Sequence, residues 1–143
     1  GRNFDARRDL PYAPYERLAF EVPVRTKGDV NSRVWIRFEE IGQSLGLLEQ
    51  ISGQLSGGST IRCEINTLVP GNGGEGLALG EGFRGDILVW VDIDEHGRIR
   101  RCHLRDPSWF QWPLLEVAIM DNIVADFPLC NKSFNCSYSG HDL

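Results

Sequence analysis

The stretch Ile87-Leu88-Val89-Trp90-Val91-Asp92-Ile93 decides the fold. Its β-branched and aromatic side chains read as a strand. Asp94-Glu95-His96-Gly97 supplies the residues of a turn, and Arg98-Ile99-Arg100-Arg101-Cys102-His103-Leu104 reads as the returning strand. Val89, Val91 and Ile93 fall on one face, and Leu88 and Trp90 on the other. Both faces are apolar, so this strand is expected to be covered on both sides. Cys102 shares a face with Leu104 and is expected to act as a small core hydrophobe.

Upstream of the hairpin the apolar period changes from two to three and four. Gly28-Asp29 is a helix start signal, because an aspartate can cap the first turn and favours its positive end. Val30, Val34, Phe38, Ile41, Leu45 and Leu48 then recur as the stripe of an amphipathic helix running from Asp29 to about Ile51. Gly42 and Gly46 lie one turn apart inside it. Each costs about 1 kcal/mol relative to alanine, which implies close approach by a neighbouring element. The helix is expected to pack on the Ile87–Leu104 hairpin, with Leu45 in the core.

The remaining segments are less regular. Gly1 to Lys27, with Pro11, Pro14 and Pro23, reads as irregular, and its Phe4, Tyr12, Tyr15 and Phe20 must pack on something. Ser56 to Gly85 is glycine-rich and expected to be looped, apart from a short strand candidate at Ile61 to Ile65. Pro107-Ser108 is expected to break the chain. Trp112-Pro113 opens a second helix, with Leu114, Leu115, Ala118 and Ile119 as its buried face. Past Asn122 the chain reads as a polar, aromatic tail. The expected class is α+β: one long amphipathic helix and a second shorter one packed on a small antiparallel hairpin or sheet, with long irregular segments.

Composition excludes several function classes. A chain of 143 residues, 41% hydrophobic and 24% charged, fits one ordinary domain, taken here as residues 1–143. Its net charge of −5 argues against a nucleic-acid partner, which would call for a Lys/Arg excess. Arg98, Arg100 and Arg101 read as a solvated strand face. No apolar run approaches the roughly 20 residues of a membrane span, and the polar start Gly1-Arg2-Asn3-Phe4-Asp5 is not a signal peptide. With no initiator methionine, the chain reads as a piece of something longer. Its four cysteines, Cys63, Cys102, Cys130 and Cys136, are expected to be reduced, as in the cytoplasm.

The small motifs are weak. Gly71-Asn72-Gly73-Gly74-Glu75-Gly76 and Gly80-Glu81-Gly82-Phe83-Arg84-Gly85 both fit G-x-G-x-x-G. A dinucleotide loop needs a helix after it to hold the pyrophosphate, and here a strand or more loop follows. Glu39 and Glu40 lie mid-helix, cannot both face one site, and read as a solvated face. Cys130, Cys136 and His141 have a spacing unusual for zinc. His96 is expected to be exposed in its turn, and His103 has no partner at ligand-like spacing.

Three blocks carry a resemblance. The first is Asp5-Ala6-Arg7-Arg8-Asp9, Pro11-Tyr12 and Tyr15, continuing through Phe20-Glu21-Val22-Pro23-Val24 and Gly28-Asp29-Val30 to Arg33, Arg37, Glu39-Glu40, Gln43-Ser44 and Glu49-Gln50. The second is Glu81-Gly82-Phe83-Arg84-Gly85-Asp86, followed by the hairpin and Asp106-Pro107-Ser108. The third is Ala125-Asp126-Phe127-Pro128-Leu129. Together they resemble the C-terminal part of the large subunit of membrane-bound, energy-converting nickel–iron hydrogenases such as formate hydrogenlyase. The homologous 49 kDa subunit of respiratory complex I, the NADH-quinone oxidoreductase, is similar. The resemblance covers nearly the whole chain except the glycine-rich stretch around Pro70 to Leu79.

The resemblance implies an oxidoreductase subunit that works with a nickel–iron centre or a quinone. It would be docked on an iron–sulfur small subunit and membrane-arm subunits, and peripheral to the inner membrane on the cytoplasmic side. In the hydrogenases two C-x-x-C pairs supply the four metal-binding thiolates, soft ligands suited to these metals. This chain has no C-x-x-C. The family's tail pattern, D-P-C-x-x-C, falls on Asn135-Cys136-Ser137-Tyr138-Ser139-Gly140, which puts Ser137 and Gly140 at the ligand positions. The resemblance therefore implies a region that has lost its nickel–iron ligands, with no metal and no cofactor of its own and an isolated chain that is inactive. The alternative is a non-catalytic assembly or interaction module. Arg84 matches the arginine of the family's E-x-P-R-G-E, with Phe83 in place of the proline and Asp86 in place of the last glutamate. Its implied role is to reach over a vestigial cavity formed with Ser137 to Gly140.

Overall fold

Asp29 starts the long helix by accepting a hydrogen bond from the Ser32 amide at 2.7 Å. This satisfies one of the donors that a helix start leaves open. In the computed structural model, which describes residues 2–55 and 73–142, the order of elements is α1 (Ala6–Asp9), α2 (Val30–Gln54), β1 (Gly74–Gly82), β2 (Gly85–Ile93), β3 (Ile99–Arg105), α3 (Ser108–Ala118) and α4 (Phe127–Phe134). Single 3-10 turns stand at Tyr15–Arg17 and Val124–Asp126. The class is α+β. The strand candidate Ile61–Ile65 and Cys63 lie outside the described residues.

The three strands form an antiparallel meander in the order β1-β2-β3. The β2–β3 pair is the hairpin read from sequence, with Val89 opposite Leu104 and an irregularity between Asp92 and Ile93. β1 corrects the reading of Ser56 to Gly85 as loop, because Gly74–Gly82 pairs along its whole length with β2. Glycine is a poor strand former, and the pairing with β2 overrides it. The pair closes on a two-residue turn, Phe83-Arg84, between opposed Gly82 and Gly85. Gly85 has φ +127, a conformation that suits a residue without Cβ.

α3 begins at Ser108, not at Trp112. The Asp106 carboxylate accepts from the Ser108 amide at 2.8 Å, and Pro113 sits inside the helix. α4 corrects the tail reading. Pro128 stands in its first turn and Asn135, at φ 54, ends it in the left-handed conformation.

Among the described residues the buried apolar side chains are Ala6, Leu18, Leu47, Leu115 and Cys130. α1 packs on β1, and α4 packs on both α2 and α3. α2 reaches the sheet at the Phe83-Arg84 turn, where Arg37 donates to the Phe83 carbonyl. Its apolar stripe is not the buried face that periodicity suggested. Phe38, Ile41, Leu45 and Leu48 are all more than half exposed, and among the described residues no heavy atom outside the helix lies within 4 Å of a Cβ built on Gly42 or Gly46. β2 is half-buried, not covered on both sides, and Cys102 is exposed on β3. The N-terminal segment, read as irregular, contains α1 and the turn Tyr15–Arg17; its aromatic side chains do pack, with Tyr12, Tyr15 and Phe20 edge-on and ring centroids 5.0 and 6.1 Å apart.

These positions make an inverted mutational pattern. Leu47 is 5% exposed and Leu45 58% exposed. Leu47→Ala should lower the stability of this chain by about 2–5 kcal/mol. Leu45→Ala should change it by no more than about 0.5 kcal/mol. Chemical denaturation midpoints of the two variants check this.

Candidate functional site

Four elements converge at the Phe83-Arg84 turn. From α2, Arg37 donates to the Phe83 carbonyl at 2.7 Å and to the Phe134 carbonyl, at the end of α4, at 3.3 Å. Its guanidinium lies 4.0 Å from the Phe83 ring centroid. One turn earlier, Arg33 donates to Ser133 Oγ at 2.8 Å and to the Gly28 carbonyl at 2.6 Å, and stacks on Phe134 at 4.2 Å. From the turn itself, Arg84 Nε donates to the Asn135 carbonyl at 2.5 Å. From α3, Gln111 donates to the Arg84 carbonyl at 2.6 Å. A cavity of about 370 Å³ opens between them, lined by Arg33, Arg37 and Arg84 together with Phe4, Phe83, Phe110 and Phe134.

Carboxylates reach the same cavity. Asp86 is taken by Arg2 and Arg105, and Asp5 by Arg7 at 2.6 Å. Glu81, at the end of β1, accepts from the Ala6 amide at 2.8 Å, so it ties the first helix to the sheet. Burial disfavours its charge and outweighs that hydrogen bond, and nearby Asp5 adds to the shift; its pKa is pushed up to about 7. Burial likewise raises Glu40, against the pull of Arg37 and Arg7, and lowers Arg37. Folding therefore tightens the hold of Glu81 on a proton. The stability it contributes is full below the ordinary glutamate range and is lost as pH rises through about 7.

Of the residues singled out from sequence, Arg84 and Asn135 are in contact. Ser137 and Gly140 are near one another, with the Gly140 amide donating to Ser137 Oγ at 3.0 Å. They do not line the cavity that Arg84 lines. Ser137 is held by its amide to Ser108 Oγ at 2.8 Å, and Gly140 is pressed on Asp106, whose Cγ would lie 2.7 Å from a Cβ at that position. Glu40 corrects the solvated-face reading: it lines the cavity, while its neighbour Glu39 pairs outward with Arg25. Sequence reasoning missed Glu81 and Arg37 as site residues. The signal available was their place in the blocks that carry the resemblance.

Residues 1–73, half of the chain, match the family model described as respiratory-chain NADH dehydrogenase, 49 Kd subunit. The chain belongs to that family. It is similar to the carbon monoxide-induced hydrogenase of Rhodospirillum rubrum, 31% identical over 135 residues, covering 94% of this chain and 37% of that protein. It is also similar to an NADH-quinone oxidoreductase subunit of Syntrophobacter fumaroxidans, 34% identical over 126 residues, covering 88% of this chain and 34% of that one. Among solved structures it matches the membrane-bound sulfane sulfur reductase, an archaeal respiratory membrane complex, with TM-score 0.81 and 30% identity over all of this chain and 40% of that one. The chain thus spans about a third of the length of these curated relatives. No helix among the described residues is long and apolar enough to cross a membrane.

Among the described residues, no cluster of three or more His, Cys, Asp or Glu side chains is placed to hold a metal ion. The Ser137 hydroxyl faces the Gly140 amide and Ser139 Oγ, and a serine stays protonated where a thiol would ionise. A cysteine at position 140 would overlap Asp106. Cys130 is buried beneath Arg33, with Sγ 3.8 Å from its guanidinium. Cys136 faces Gln111, and burial raises its thiol pKa away from the thiolate form.

The crowding at Gly140 is measurable. Gly140→Ala should cost about 1–3 kcal/mol, as overpacking against an atom that cannot swing away. It should also weaken the Asp106 bond that starts α3. Thermal unfolding of the variant checks the first, and the Ser108 amide protection factor the second.

Proposed function

We propose that this chain is the C-terminal part of the large subunit of an oxidoreductase of the hydrogenase and NADH-quinone oxidoreductase kind. In this reading the region has lost its nickel–iron ligands, and the cavity beside Arg84 receives the head of a quinone or an anion of similar size. The observation that carries the reading is the lining of that cavity. Arg33, Arg37 and Arg84 are anchored by carbonyl and hydroxyl oxygens, and among the described residues none of the three is ion-paired with a carboxylate. A guanidinium so placed keeps positive charge and free N–H groups for a ligand's oxygen atoms. The phenylalanine rings beside them suit the face of a flat, apolar ring.

The partners in this reading are an iron–sulfur small subunit and membrane-arm subunits, with the chain held peripherally at the inner membrane on the cytoplasmic side. Relatives named as respiratory subunits and a respiratory membrane complex support it. So does the exposed stripe of α2: Trp35, Phe38, Ile41, Leu45 and Leu48 make an apolar face of the kind a helix presents to a neighbour. A purely non-catalytic assembly module would account for that stripe, but would leave the arginine-lined cavity without a ligand.

Isothermal titration with a water-soluble short-chain quinone tests the cavity. Arg84→Leu and Arg37→Leu should each weaken binding about tenfold, equivalent to about 1.4 kcal/mol. Unchanged affinity in both would overturn the reading. Elemental analysis of the purified chain should find no stoichiometric nickel, and finding it would refute the loss of ligands.

A further inference from the structure

A second cavity, of about 270 Å³, lies against the first. Arg7, Ile41 and Ser44 line its far side, and the two share Arg37, Glu40, Glu81 and Phe83 as a common wall. Phe83 offers no proton. A guanidinium does not give one up, and Arg37 is fixed by two carbonyls. The carboxyl groups of Glu40 and Glu81 are therefore the two exchangeable acids in the wall. We propose that Glu81, with Glu40 beside it, carries protons between the two cavities, taking them from water in the smaller and giving them to a ligand in the larger.

The surroundings of Glu81 suit that task. One carboxylate oxygen is held by the Ala6 amide, and its own amide donates to Tyr12 Oη at 3.3 Å, which fixes where the side chain stands. The charged groups facing it come from three directions. Asp5 and Arg7 in the N-terminal segment are paired with one another; Asp86, in its own hairpin, is engaged by Arg2 and Arg105; Arg37 and Glu40, from α2, line the same two cavities. Among the described residues no cation forms an ion pair with Glu81 itself. A half-buried carboxyl without such a partner, raised by desolvation to about 7, takes up and releases its proton near neutrality, where transfer in both directions is easiest. The transfer moves a proton from hydronium or water in one cavity to Glu81, and from Glu81 to an anionic oxygen of the ligand in the other, that of an anion or of a quinone already reduced elsewhere, with no change in electron count.

The proposal rests on the larger cavity being a ligand site, but its first test needs no ligand. Infrared difference spectroscopy of the chain across pH should show a protonated-carboxyl C=O band that disappears with a midpoint of about 7. Moving from H2O to D2O should shift that band within seconds. Glu81→Gln should remove it. Glu40→Gln should leave it in place. Glutamine retains an oxygen for the Ala6 amide. Glu81→Asp, which keeps a carboxyl on a shorter stem, should retain a band at a changed midpoint. The proposal is overturned if no carboxyl of the folded wild-type chain titrates near neutrality, if the band survives Glu81→Gln, or if it resists deuteration for hours, as a sealed structural carboxyl would. Because the measurement is made without quinone, a chain that exchanges protons in this way and binds no quinone would refute the ligand reading alone.

Discussion

The guanidinium of Arg37 holds the site together. It projects from the middle of α2, binds the carbonyl that closes the β1–β2 turn and the carbonyl that ends α4, and stacks on the Phe83 ring. Three elements far apart in sequence are thereby fixed to one planar group. Burying such a charge is costly, and its lowered pKa records that cost. Two carbonyl oxygens and an aromatic face offset part of it, as charge-assisted hydrogen bonds and a cation–π contact. A lysine could not reproduce this, because an ammonium has no fixed fork with which to reach both carbonyls.

Once α2, the turn and α4 are fixed in this way, the cavities follow from what cannot fill the space. Arg33 and Arg84 are drawn away by Ser133 and Asn135, so their side chains line the gap without closing it. Glu81 is held back by the Ala6 amide. Arg33, Arg84 and Glu81 are each pinned by a backbone or side-chain partner on their own side, which keeps the wall open and polar. The same pinning separates the carboxylates into two kinds. Asp5 and Asp86 each have an arginine partner, whereas Glu40 and Glu81 face the cavities with no ion-pair partner among the described residues and bind protons more readily than an ordinary glutamate.

The parts of the fold that are readable in the sequence are those in which local chemistry and tertiary packing agree. Asp29 caps α2 as its side chain allows, and the alternation from Ile87 to Ile93 becomes β2. β1 was hidden because Gly74, Gly76, Gly80 and Gly82 contribute no strand preference, and only the neighbouring β2 makes that segment extended. α4 was hidden because Pro128 reads as a breaker, although in a first turn it starts a helix. Periodicity identified the apolar stripe of α2 correctly but could not say what lies against it, and in this chain Leu47, off the stripe, is the buried residue. At the site, Arg84 and Asn135 could be named because a motif contains each of them. Glu81 and Arg37 could not be assigned a role, since their importance comes from burial and from contacts that cross 30 residues or more of chain.

The few buried apolar side chains among the described residues and the open stripe of α2 have one physical consequence in common. A helix of 25 residues gains most of its stability from covering its apolar face rather than from propensity. Here the stripe residues Phe38, Ile41, Leu45 and Leu48 stay more than half exposed, and α2 is held off that stripe, at Leu47 and where Arg33 and Arg37 meet α4. Polar anchoring therefore carries an unusual share of the tertiary structure, and polar anchoring is directional. It fixes where Arg84, Glu40 and Glu81 stand more tightly than it raises overall stability, because each hydrogen bond contributes about 0.5–1.5 kcal/mol net yet tolerates little change in geometry. The site can thus be well formed in a chain whose outer apolar surface is still available to a partner.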